Sequence, residues 1–165
     1  MNTNFFARLT HTIMLVLLQA LVLNNIHIYN IATPLLYIIL PLKFSSSQPR
    51  WSALLWCFAT GLLIDIFANT PGVAAGAMTL LGAIQPGMLK LFIQNDEEEH
   101  IKPSVKTLGW MKYITYTSLM SLTYCFVFFS LEAFSFFNPL LWIMSIGGSA
   151  LLTTVILLVL ERIKN

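Results

Sequence analysis

The feature that most constrains this chain is its succession of long apolar stretches divided by short polar breaks. They run over about 9–23, 26–42, 51–68, 73–92, 108–131 and 139–160. Each is near the roughly 20 residues that a helix needs to cross the hydrocarbon layer of a bilayer. Within lipid every backbone N–H and C=O must be satisfied inside the protein, which leaves helices or a closed barrel. Barrel strands alternate apolar and polar residues, and these runs do not. The expected fold is therefore an all-α integral membrane protein, a six-helix transmembrane bundle forming a single domain over 1–165. Composition agrees: 57% of the 165 residues are hydrophobic and 10% charged, against ~25% charged in soluble domains. A net charge of +2 leaves no footprint for nucleic acid. No repeat of 20–50 residues is evident.

The breaks place the turns. Asn24-Asn25 follows the first run, Lys43 to Arg50 (KFSSSQPR) forms a polar loop, and Asn69-Thr70-Pro71-Gly72 reads as a tight turn. Gln85-Pro86-Gly87 predicts a kink in the fourth helix. Residues 93–107, with Asp96, Glu97, Glu98 and Glu99, make the most polar loop, Phe134 to Asn138 a short aromatic turn, and Glu161 to Asn165 a polar tail. Arg8 ahead of an apolar run has the outline of a signal peptide. The run ends in Leu23-Asn24-Asn25 with no small-x-small cleavage site, so an uncleaved first helix is expected.

The second run is short and interrupted by Asn30, Thr33 and Pro34, and charge placement decides for it. With six spans, Arg8, Lys43, Arg50, Lys90, Lys102, Lys106, Lys112, Arg162 and Lys164 all flank one side. With five, Arg8 falls on the other. The positive-inside rule makes the basic side cytoplasmic, with both termini on it. Trp51, Trp110 and Trp142 stand near segment ends, where an aromatic belt would place them.

Asp65 is the one acid within an apolar run. A carboxylate at mid-membrane costs roughly 2.5–3.5 kcal/mol on translocon scales, so it requires a partner. It lies near the outer end of the third helix and opposes the negative end of that helix's dipole. The start of the fourth helix, just past Pro71-Gly72, offers free N–H groups and a positive dipole end. Asn24 and Asn25 are second candidates on the same side. Asp65 either pins this outer turn or recognises a partner; in the first case Asp65→Asn, which keeps one acceptor oxygen, is nearly tolerated. A proton relay would want a second intramembrane acid. Gly72 and Gly76 form a GxxxG spacing, and Ser145 and Ser149 a second small pair, suited to close helix packing or to contact with another membrane protein.

The acidic run 96–99 beside Lys102 and Lys106 reads as a solvated loop or as a docking site for a cytosolic partner. His11, His27 and His100 show no ligand spacing. Cys57 and Cys125 sit in apolar runs and read as buried thiols. There is no nucleophile elbow, P-loop, HExxH or pair of catalytic acids, so an enzyme is not expected and no cofactor is implied.

Three stretches carry a resemblance: Leu18 to His27 (LQALVLNNIH), Ala32 to Ile38 (ATPLLYI), and Gly61 to Gly72 (GLLIDIFANTPG) followed by Ala74-Ala75. The chain resembles the MreD family of rod-shape-determining membrane proteins, Bacteroidetes-type members above all. Length, span number and the order of polar breaks match over nearly the whole chain, although the part from Ile93 on matches in character alone. The resemblance implies a non-enzymatic component of the bacterial elongation machinery in the inner membrane. It would act with MreC, and indirectly with MreB, RodA and a class B penicillin-binding protein. MreD proteins are similar in six-helix layout to the substrate-binding subunits of energy-coupling-factor vitamin transporters, which supplies an alternative function. The first helix argues against it, because Leu9 to Leu18 (LTHTIMLVLL) lacks the Ala-x-x-x-Ala face those subunits present to their coupling subunit. A lipid-carrier role would need a charged or hydrated groove.

Overall fold

The computed structural model describes residues 2–21, 33–45, 48–93, 102–132 and 139–164. All regular structure among them is helical: α1 (Asn2–Leu21), a 3₁₀ turn (Leu36–Ile38), α2 (Ile39–Leu42), α3 (Arg50–Ala68), α4 (Val73–Phe92), α5 (Val105–Leu108), α6 (Trp110–Glu132) and α7 (Pro139–Lys164). Arg50–Ala68, Trp110–Glu132 and Leu140–Ile163 are long and apolar enough to cross a membrane, by length and composition. α4 is also 20 residues long, but Gln85, Pro86 and Lys90 make it less apolar. In α1 the apolar part of the described helix is Thr12–Leu21.

The outward faces differ from those of a water-soluble bundle: they are apolar like the core, and several polar side chains are buried. Gln19, Thr60, Asp65, Gln85, Thr117, Ser121, Ser149, Thr153 and Glu161 are buried, whereas Leu55, Ile66, Leu140, Ile143, Leu151 and Val155 face outward. In water such outward faces would be a large contiguous apolar patch; in a bilayer they match the solvent.

α3 and α4 pack antiparallel across the tight turn at 69–72, and α4 and α7 both pack against α6. Arg162 stacks over the Trp110 ring at 5.8 Å, and Phe126 meets Trp142 edge-on at 5.6 Å, so α6 and α7 are antiparallel too. Small residues set the α3–α4 distance. A Cβ on Gly82 would come within 2.7 Å of the Cys57 sulfur, and one on Gly61 within 2.5 Å of the Ala75 Cα. Tyr37 and Tyr124, both fully buried, meet at the centre with their hydroxyls 2.5 Å apart and their rings edge to face.

The second expected span, 26–42, differs from expectation in its described part. Residues 33–35 have no regular structure, and only the 3₁₀ turn and the single turn α2 follow. Pro34 has no N–H and disfavours helix at Thr33. The freed backbone groups bond to side chains of neighbouring helices, which is how irregular backbone survives inside an apolar environment. Gln19 of α1 donates to the Pro34 carbonyl at 2.9 Å and accepts from the Leu36 N–H at 2.9 Å. On α7, Ser149 accepts from the Thr33 N–H and Thr153 from the Leu35 N–H, each at 3.1 Å.

Two further boundaries differ. A one-turn helix, α5, capped by Ser104 and Thr107, falls mostly within the expected 93–107 loop and ends at Gly109, whose φ of 80° permits the change of direction into α6. The polar tail is helical through Lys164: Glu161 is buried and ion-paired with Lys43 at 3.0 Å, so α7 continues past the end of its apolar run. Pro86 lies inside α4, which runs helical on both sides of it, and the adjacent Gln85 donates to the Phe44 carbonyl and the Tyr116 hydroxyl at 3.3 Å each. The aromatic turn at 134–138 lies outside the described residues.

Candidate functional site

The corner where α3 turns into α4 assembles the residues of the Gly61–Gly72 stretch. α3 ends at Ala68, and Asn69 adopts the left-handed conformation (φ 56°, ψ 37°), the one non-glycine residue to do so among those described. Asparagine tolerates this conformation better than most side chains. The Thr70 N–H then reaches back to the Asp65 carbonyl at 3.2 Å, closing a Schellman-type end. Pro71 cannot continue the helix. Gly72 takes φ 86°, left-handed again, and α4 starts at Val73.

A helix beginning at Gly72 has no capping side chain of its own. Asp65 supplies the cap from the neighbouring helix. Its Oδ1 accepts from the Ala74 N–H at 2.8 Å and the Thr70 hydroxyl at 3.0 Å, and its Oδ2 accepts from the Ala75 N–H at 2.8 Å. Asp65 as a whole residue is 5% exposed. The unfavourable dipole end of its own helix is thus answered by the favourable end of the next. All three contacts donate to the carboxylate, so the arrangement ties two helices together.

Gly61, one turn before Asp65, makes that bond geometrically possible. Its missing side chain lets the Ala74–Ala75 backbone lie directly on α3, within reach of Asp65. Gly-x-x-x-Asp is therefore one device: the glycine admits the helix start and the acid binds it. Within the chain Gly72 and Gly76 make no close helix contact, so of the two readings of this spacing the internal one does not apply. A Cβ on Gly72 would meet nothing within 4 Å, and one on Gly76 would meet only a Leu131 methyl at 3.5 Å; Gly72 is needed for its backbone angles. Of the second small pair, Ser149 is fully buried and holds the 33–35 segment, while Ser145 is half-buried. Asn24 and Asn25 lie outside the described residues, as do His27, His100 and the acidic run 96–99.

Beside the corner, Phe58, Leu62, Asp65, Ile66, Asn69, Pro71, Gly72 and Ala75 line an open, mainly apolar groove of about 400 Å³. Among the described residues no three His, Cys, Asp or Glu side chains gather to hold a metal ion. Sequence reasoning missed four residues of structural weight: Gln19, Gln85, Gly61 as the contact point, and Glu161. A polar residue inside an apolar run was the available signal for the two glutamines. Glu161, at the edge of its run, gave no comparable sign.

No family model matches the chain, and no curated protein or solved structure shows significant similarity to it.

Proposed function

We propose that this chain is a non-enzymatic membrane component of the bacterial cell-elongation machinery, scaffolding or regulating lateral peptidoglycan synthesis through MreC. The reading rests on the resemblance to MreD, and one observation supports it. The most specific stretch of that resemblance, Gly61 to Gly72, is a closed mechanical unit whose acid spends both oxygens on the chain itself. A residue held this way stiffens a membrane-embedded surface and leaves little for substrate chemistry. The partners engage lipid-facing helices such as α3 and α7, whose outward faces are apolar. In this reading six spans cross the inner membrane with both termini cytoplasmic. Its support is the clustering of Lys43, Glu161, Arg162 and Trp110 at the end of the bundle opposite Asp65.

The groove beside Asp65 favours a second reading, the substrate-binding subunit of an energy-coupling-factor-type transporter, because its volume falls in the ordinary range for small-ligand sites. Co-purification from detergent separates the two. Recovery of MreC with the tagged chain supports the scaffold. Its absence, together with tight binding of a vitamin, supports transport. Reporter fusions at Asn165 and within 24–27 test the topology; a periplasmic C-terminus would end the six-span proposal.

A further inference from the structure

Two kinds of serine and threonine hydroxyl on α6 stand apart from the exposed Ser118. Thr115, Thr123 and Ser130 each donate to the carbonyl four residues back, the usual resort of a helical serine or threonine in apolar surroundings. Thr117 and Ser121 do not. Both are fully buried, and their oxygens have no hydrogen-bond partner among the described residues. Thr117 lies beside the Tyr113 hydroxyl without reaching bonding geometry. A buried hydroxyl left dry is unusual enough to require an explanation.

The surroundings supply one. Residues 113, 117, 121 and 124 fall on one narrow face of a helix with 3.6 residues per turn, so Tyr113, Thr117, Ser121 and Tyr124 form a single polar row along the inner side of α6. Tyr124 shares a hydrogen bond with Tyr37. Two phenols carry two protons and only one can lie between their oxygens, so the second must find another acceptor. On the other flank Tyr116 accepts from Gln85 and keeps its own proton to donate. Along the sequence of α6, the unpartnered hydroxyls of Thr117 and Ser121 thus stand between Tyr116 and Tyr124, each of which belongs to a pair with a proton still to donate. Among the described residues no side chain completes this set, and a molecule that both donates and accepts would.

We propose that Thr117 and Ser121 form an internal hydration site, binding one or two ordered water molecules between the Tyr37–Tyr124 pair and the Gln85–Tyr116 pair. Buried water usually makes about three such bonds to otherwise unsatisfied groups. The site stands next to the 33–38 segment through Tyr37, so the irregular backbone of this bundle borders on water rather than on hydrocarbon.

Pulsed X-ray radiolysis of the purified full-length chain in ¹⁸O water, read by mass spectrometry, tests this directly, because bound internal water oxidises the side chains it touches whatever their exposure to bulk. Met120 and Tyr124 are fully buried and should nonetheless acquire ¹⁸O in the parent chain. The double variant Thr117→Val, Ser121→Ala should lose that label at least tenfold while exposed Met111 labels as before. Absence of label at both residues in the parent, or unchanged label in the variant, overturns the proposal. Thermal unfolding is an independent test: a dry, orphaned Ser121 hydroxyl predicts that Ser121→Ala raises the midpoint, and a hydrated one that it lowers it.

Discussion

Replacing Asp65 by alanine removes the acceptor for three donors at once. Two are the N–H groups of Ala74 and Ala75, residues that are 0% and 4% exposed. A buried donor stripped of its acceptor costs about 1–3 kcal/mol, which for two gives about 2–6 kcal/mol. The groove beside Asp65 admits some solvent, and the low end corresponds to loss of one strong N-cap, up to ~2 kcal/mol. We therefore expect a loss of about 3–4 kcal/mol, a large part of a typical stability of 5–15 kcal/mol. Asparagine is more damaging than the sequence argument expects. Each carboxylate oxygen faces a backbone N–H, so the amide can satisfy one and must turn its own NH₂ against the other. With the amide oxygen kept toward Thr70 and Ala74, the Ala75 N–H is orphaned at about 1–3 kcal/mol. The assay is detergent-solubilised thermal unfolding followed by size-exclusion chromatography. The expected order of midpoints is parent, then Asn, then Ala, well separated. If Asn unfolds with the parent, or Ala within a degree of it, the capping argument fails; if Asn instead folds normally and abolishes cell-shape complementation, Asp65 serves a partner through its charge.

Three other outcomes follow from the packing. Gly61→Ala places a methyl against the Ala75 backbone and should destabilise by about 2 kcal/mol or more through overpacking; Gly82→Ala meets the Cys57 sulfur instead, and adding Cys57→Ala should restore much of its folded yield. Gln19→Leu leaves the Pro34 carbonyl and Leu36 N–H without their partner and should cost about 2–3 kcal/mol, with backbone amide exchange accelerating at 35–38 before elsewhere; unchanged exchange there would show that the clamp contributes nothing. Lys43→Ala strands the buried Glu161 and should lower the unfolding midpoint, with a loss of about 2–3 kcal/mol, below that of a fully buried pair because Lys43 is partly exposed, whereas the exchange Lys43→Glu, Glu161→Lys should recover part of it.

The sequence alone determined that this chain is helical and suited to lipid, because apolar runs near span length are a local property that requires no knowledge of neighbours. It also determined that Asp65 must find donors, since a carboxylate in an apolar run has few alternatives, but left them open between the start of the fourth helix with its turn and Asn24 or Asn25. Local spacing could not tell that Gly61 rather than Gly72 and Gly76 is the point of helix contact. The GxxxG pattern counts residues along one helix, whereas contact depends on where the next helix begins. The 26–42 run shows the same division. Its apolar character and the break at Pro34 were legible, but the side chains that take up the freed backbone bonds lie at positions no local pattern reveals: Gln19, 17 residues before Leu36, and Thr153, 118 residues beyond Leu35. Glu161 likewise reads as part of an exposed tail until Lys43 is placed beside it. The buried side chains of Gln19, Asp65, Gln85 and Glu161 are satisfied by other segments of the chain, and which segments meet is decided by packing in three dimensions.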